Sequence, residues 1–188
     1  MAKHTFKSDL SVKGIEKLKK DLLEYKAGLN KKLELLVELL AKKGVEIAKA
    51  KIVGYDAVFT GELLSSIKSV NGGRTGDKCI FYIVADSKHA AWVEFGTGQL
   101  GMEEPYPYNF PNGVSWEYNT GQTIQQATED IFVKGELYIE AGDYFWVYIG
   151  ESDGKLHITK GMPSRPFMYE TALELQLLVP KLAKEIFG

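Results

Sequence analysis

The sequence predicts an α+β fold: a small antiparallel sheet packed against two long helices, with a loop-rich insertion. Three observations predict it. Apolar residues recur at three- and four-residue steps through residues 14–53 and again through 164–186, which is the period of an amphipathic helix. Short β-branched and aromatic runs at 79–85 and 144–149 are bounded by turn residues, as strands are. Residues 103–113 hold three prolines and three aromatics in eleven positions. Each proline fixes its own backbone and restricts the residue before it, so that stretch reads as an extended, irregular loop.

The 188 residues make one domain, long enough to bury a sizeable core, with an aromatic, Pro/Gly-rich insertion at about 99–143. A 45% apolar and 12% aromatic content belongs to a folded chain. The net charge of −2 gives no overall field for nucleic acid or an anionic membrane. The single cysteine, Cys79, excludes an internal disulfide framework and reads as a small buried hydrophobe within a strand. No apolar run follows the charges at the start of the sequence, and none approaches a membrane span. The expectation is a chain made in a reducing cytoplasm that stays there until it joins an assembly.

Residues 6–12 read as a short edge strand. From Gly14 a stripe of Ile15, Leu18, Leu22, Tyr25 and Leu29 marks a helix, which Gly28 and Asn30 either break or sit inside. Residues 31–53 carry the strongest helical pattern: Leu33, Leu36, Val37, Leu40, Gly44, Ile47 and Ala48 share a face. Gly44 within that face costs about 1 kcal/mol relative to Ala, which predicts close approach of another element. Leu35 and Leu39 lie nearly opposite, and are expected to pack on the preceding helix or on another subunit. Gly54 ends the helix, Thr60 caps a single turn over 61–65, 66–70 is a strand and 71–76 its hairpin turn. After the strand from Cys79, Asp86 and Ser87 start a short helix that Gly96-Thr-Gly98 closes. Residues 120–130 predict a short helix, and 144–149 and 155–159 a hairpin around a turn at 151–154. Ser164 caps the last helix with Pro166 in its first turn. Its stripe is Met168, Ala172, Leu175, Val179, Leu182 and Ile186, and Pro180 should kink or restart it.

The search for chemistry returns little. His4, His89 and His157 are far apart, and none has a carboxylate or cysteine at metal-ligand spacing. A His–Ser or His–Cys nucleophile pair converges only in the fold, and nothing local points to one. The glycines at 72, 73 and 76 join two strands, where a phosphate loop needs a following helix. Glu94 with Glu103, Glu104 or Asp143 would mimic the paired carboxylates of a glycosidase, a coincidence cheap in a chain of 25 acids. No catalytic, cofactor-binding or metal residue is expected. Two features ask for explanation. Glu94 sits in a short aromatic helix between a strand and a glycine hinge, either as a partly exposed acid beside a turn or as a functional one. Tyr106, Tyr108, Phe110, Trp116 and Tyr118 either fold onto their own core or form a recognition surface.

Three boxes, in order, carry a resemblance. Ala90-x-Trp92-Val-Glu-Phe-Gly-Thr97 resembles a "tyrosine-alanine … valine-glutamate-phenylalanine-glycine-threonine" signature. Thr60-Gly-x-Leu63-x-x-Ser66-Ile67 resembles "threonine-glycine-x-leucine-x-x-serine-isoleucine", and Gly161-Met-Pro-Ser-Arg-Pro-Phe-Met-Tyr169 an "arginine-proline-phenylalanine" lead into the last helix. Together these resemble the tail-component, or neck, proteins of long-tailed bacteriophages, in the version found in phages of Gram-positive hosts, over residues 10–185. His89 stands where tyrosine is usual in that family, and Glu170-Thr171 where many members have proline-alanine. The resemblance implies a tail-completion or head–tail joining subunit of the virion or a prophage, with no catalytic role. It would form a homo-oligomeric ring between phage connector or head-completion proteins and tail proteins, around DNA that it passes without reading. Its motif and interface candidates are Thr60, Gly61, Trp92, Glu94, Phe95, Gly96, Thr97, Arg165 and Phe167. Glu94 either caps local N–H groups or pairs with a basic residue of a neighbour, a role Arg165 also fits. The alternative is a module that binds a saccharide or an extended peptide through the aromatic loop.

Overall fold

The structure, a computed structural model, describes residues 4–9, 11–58, 61–76, 78–118, 125–128, 130–133, 137–149 and 154–188. The fold is α+β, and the chain divides into two compact units, 1–50 with 65–85 and 169–188, and 51–64 with 86–168.

In the first unit, helix α1 (Val12–Gly54) starts where Ser11 Oγ accepts the Gly14 N–H at 3.0 Å, with Asp9 Oδ1 bonded to the Ser11 N–H and hydroxyl. That cap displaces the edge strand expected at 6–12; the described part of that segment is not a strand, and His4 and Phe6 instead lay their rings on Tyr25. α1 then runs 43 residues without a break, through Gly28 and Asn30. A helix interior tolerates an isolated glycine at about 1 kcal/mol, and no proline interrupts the ladder. One consequence corrects the sequence reading: Leu35 and Leu39 belong to the same helix as the earlier stripe and cannot pack on it, and Leu35 is 47% exposed.

Leu36, Ala41 and Ala48 point into the core, and Gly44 admits the close approach expected of it. A Cβ there would fall on Ile83 Cδ1 and lie 2.9 Å from Leu175 Cδ1. Ile83 belongs to the hairpin of β1 (Ile67–Thr75) and β2 (Lys78–Ala85), and Leu175 to helix α5 (Phe167–Phe187). The hairpin pairs from Ile67↔Ala85 to Thr75↔Lys78, with a bulge between Asn71 and Gly73. The turn therefore does not fall at 71–76: the bulge absorbs one residue and pairing continues past it. Along α5, Leu175, Leu178, Leu182 and Ile186 are half-buried, whereas Ala172 and Val179 face outward, which rotates the expected stripe. The helix continues through Pro180 without restarting.

In the second unit, α1 closes at Gly54 with Tyr55 N–H on Lys51 O and Ala57 N–H on Ile52 O. Helices α2 (Glu62–Ser66), α3 (Ala90–Phe95) and α4 (Gly98–Glu103) are each one or two turns. The α4 turn replaces the loop expected directly after Gly98. Strands β3 (Gln125–Gln126), β6 (Tyr144–Ile149) and β7 (Leu156–Thr159) form an antiparallel sheet in the order β3-β6-β7, and β4 (Ile131–Val133) pairs with β5 (Leu137–Ile139). The helix expected at 120–130 does not form in its described residues. Gln125 and Gln126 pair with Phe145 and Tyr144, and Ala127 N–H reaches Asp143 O. Ala127, Ile139 and Phe145 form a small core, with Leu137, Val147 and Ile158 packed against it. Strand β8 (Gly161–Met162) completes the unit. Among the described residues no helix is long and apolar enough to cross a membrane.

Candidate functional site

The second unit gathers two of the three motif boxes at one place. Ser87 O accepts the Ala90 N–H and Ser87 Oγ the His89 N–H, so the turn after β2 leads directly into α3. Ser87 also donates its hydroxyl to Glu62 at 3.2 Å. α3 turns Val93 and Glu94 inward, at 6% and 7% exposure, and closes with Gly96 N–H on Trp92 O.

Segment 161–168 lies along that end of α3. Arg165 N–H donates to Val93 O at 2.9 Å, and the Ser164 hydroxyl to Glu94 O at 2.8 Å. Thr97 bridges to Met162 and Gly98 to Gly161. Gly96 has φ +83°, and the three atoms nearest a Cβ on it would all be backbone, Ser164 N at 2.8 Å first. The glycine therefore admits both the left-handed turn and the contact.

Glu94 completes this arrangement. Its Oε2 accepts the Met168 N–H at 2.8 Å, in the first turn of α5. The first N–H groups of a helix have no partner within it, and its positive end favours a carboxylate. Of the two roles implied for Glu94, the structure displays the local cap, and its burial overturns the picture of a partly exposed acid. Glu94→Ala should lower unfolding free energy by about 1–3 kcal/mol by stranding a covered donor, and Glu94→Gln, which keeps an acceptor oxygen, by less. Denaturant titration of both variants checks this. An Ala variant as stable as the parent would show that Met168 N–H has another acceptor at hand.

Arg165 serves the box through its backbone, and Phe167 is fully buried. Thr97 is 3% exposed. Trp92 packs edge-on against His89. Gly61 stands just ahead of α2, and Thr60 lies outside the described residues.

Phe95 is the hub of the aromatic loop. Its ring centroid lies 5.0 Å from Tyr106, 5.1 Å from Trp116 and 5.5 Å from Phe110, while Tyr106 stacks on Phe110 and meets Tyr108 edge-on. Trp116 Nε1 donates to Gly96 O, Gly98 N–H to Tyr118 O, and Tyr106 N–H to the Tyr118 hydroxyl. The loop is thus folded onto the motif box. Tyr106 is buried, Tyr108, Trp116 and Tyr118 are half-buried, and Phe110 remains 37% exposed.

Sequence reading did not foresee a polar cross-link in the same unit. Lys160 Nζ pairs with Asp143 Oδ2 at 2.5 Å, Gln99 Nε2 donates to Asp143 Oδ1 at 2.9 Å, and Gln99 Oε1 accepts the Tyr144 N–H. Glu140 N–H also donates to Asp143. Asp143, a conceivable partner of Glu94 in a carboxylate pair, is thus bound to Lys160 and Gln99. The lysine first, then the amide and the backbone N–H, hold its carboxyl down at about 2, below the ordinary 3.8. A depressed acid stabilises the fold above its unfolded value, and loses that contribution as pH falls through its folded one. The cross-link should therefore persist at pH 5 and fail between about pH 4 and pH 2. Carboxyl chemical shifts measured across an acid titration should show that midpoint, and Lys160→Met should move it back toward the ordinary range. A midpoint unmoved by Lys160→Met would show that the ion pair does not form in solution.

Among the described residues no group of three or more His, Cys, Asp and Glu side chains gathers as a metal site would require. Comparison of the chain with known protein families, curated proteins and solved structures finds no match.

Proposed function

We propose that the protein is a structural subunit of the head–tail neck of a tailed phage or prophage, acting in tail completion or head–tail joining as one member of a homo-oligomeric ring. The observation that carries this reading is how the motif residues are used. Val93, Glu94 and Thr97 bond to Arg165, to Ser164 and Met168, and to Met162 respectively, across roughly 70 positions of sequence, and the carboxylate caps a helix. Such a box holds a shape. Large apolar side chains lie outside instead, among them Ile15, Leu22 and Leu35 on α1 and Leu177, 80% exposed, on α5. Apolar side chains gathered on an exposed helix mark surfaces that other proteins cover.

In this role the chain is made in the host cytoplasm and ends in the virion. It binds connector or head-completion proteins on one side and tail proteins on the other, and lets DNA pass without reading its sequence. Closure of the ring requires head-to-tail contacts between copies, each burying on the order of 800 Å² per partner. The test is to mix the purified chain with the connector and tail-tube proteins encoded beside it and to image the product by electron microscopy. Closed rings at the connector–tail junction are expected. A chain that binds neither protein and is missing from the assembled particle would overturn the proposal.

A further inference from the structure

Independently of the assembly reading, we propose that the first half of α1 pairs with the same segment of a second copy of this chain, parallel and in register, as a short coiled coil. Ile15, Leu18, Leu22, Tyr25 and Leu29 follow one another at steps of three, four, three and four, the a/d spacing of a coiled-coil seam. Further along the helix the same side is covered within the first unit: Lys32 lies over the Phe187 ring at the end of α5, Leu36 is 7% exposed, and Gly44 receives Ile83 and Leu175. From Val12 to Lys31, about 30 Å of helix at 1.5 Å per residue, the cover is partial: Asp9 lies against Gly14, His4 and Phe6 against Tyr25, and Leu18 is half-buried. Ile15 is 51% exposed, Leu22 45% and Leu29 39%. His4 and Phe6 set their rings against Tyr25, which stays 36% exposed.

The residues flanking the seam decide the occupant and its direction. One flank, at seven-residue steps, is Gly14, Asp21 and Gly28; the other is Lys19 and Lys26. In a parallel pair each flank faces the opposite flank of the partner, five residues on, so Asp21 of each copy meets Lys26 of the other. An antiparallel pair would set the lysine flanks against each other. Gly28 fits the same picture. Unlike Gly44, it has nothing among the described residues within 4 Å of the position a Cβ would take. Beside a seam, it lets a second helix approach. Among the positions turned away from the seam, Glu16, Lys17, Lys20, Glu24 and Lys31 are charged, and Leu23, Ala27 and Asn30 are not.

The experiment is sedimentation of the full chain over a range of concentrations. A reversible dimer is expected. Leu22→Lys should raise its dissociation constant about 30-fold or more, the effect of losing one central apolar anchor. Leu23→Lys, on a neighbour 59% exposed but off the seam, should leave it near the parent value. Both sites are exposed, so neither change touches the core. Asp21→Lys should weaken the dimer, and adding Lys26→Asp should restore it. In a Cys79→Ser background, Leu29→Cys should oxidise to a covalent dimer, since position 29 lies at the end of the seam and meets itself only in a parallel, in-register pair. A chain monomeric at every concentration, equal effects of Leu22→Lys and Leu23→Lys, or no cross-link at position 29 would each overturn the proposal.

Discussion

Phe167→Ala is expected to lower the free energy of unfolding by about 3–5 kcal/mol, the usual range for deleting a buried phenylalanine. The side chain has 0% exposure, and its neighbours in sequence are tied to α3: Arg165 N–H to Val93 O and Met168 N–H to Glu94 Oε2. Those bonds limit how far the backbone can move to fill the hole, and an incompletely filled cavity is what makes such substitutions costly. A loss of that size is a large part of the stability of an ordinary domain, about 5–15 kcal/mol in all. Phe167→Leu should cost less, because most of the volume stays. Urea unfolding followed by the fluorescence of Trp92, Trp116 and Trp146, all in the same unit as Phe167, reads the change. A loss under about 1 kcal/mol for the alanine variant would show that the surroundings of Phe167 collapse freely.

How much of this was legible in the sequence depends on the range over which each signal acts. Helical and strand periods are local, so α1, β2, β6 and α5 could be read from spacing alone. Gly44 stood out because a glycine in an apolar stripe needs a close neighbour, although nothing local names Ile83 and Leu175. The continuity of α1 was not decidable, since Gly28 and Asn30 are tolerated in a helix and favoured at its end. That uncertainty carried a wrong partner for Leu35 with it. The polar segment before Ala127 looked helical because its two strand residues form an edge, where side-chain alternation says little and pairing with Phe145 and Tyr144 is the only signal. At the candidate site, Glu94 could be singled out from its neighbours Trp92, Phe95 and Gly96. Its acceptor role toward Met168 spans 74 positions and leaves no local trace. The link of Gln99, Asp143 and Lys160 was missed for the same reason: each is an ordinary polar residue until the fold brings the three together.

Gly161→Ala is expected to cost about 3–5 kcal/mol, from two independent causes acting at one atom. Gly161 has φ +97°, a conformation that side-chain-bearing residues avoid at roughly 1–3 kcal/mol. An added Cβ would also fall on the Thr97 carbonyl oxygen and lie 2.9 Å from Gly98 Cα. These are backbone atoms, held by the Thr97↔Met162 and Gly98↔Gly161 bridges, so they cannot swing aside as a flexible side chain would. To admit the methyl group, β8 must separate from the turn between α3 and α4, which puts the bonds of Ser164 and Arg165 to α3 at risk as well. Gly113 supplies the control. It too has a positive φ, +82°, but nothing lies within 4 Å of where its Cβ would stand. Gly113→Ala meets only the conformational cost, about 1–2 kcal/mol. Thermal melts of the two variants separate the causes. If Gly161→Ala loses no more than Gly113→Ala, the approach of β8 to Thr97 is loose enough to yield, and the motif boxes are not held together there. A markedly larger loss at Gly161 would place the tight backbone contact, rather than the dihedral, at the centre of the box.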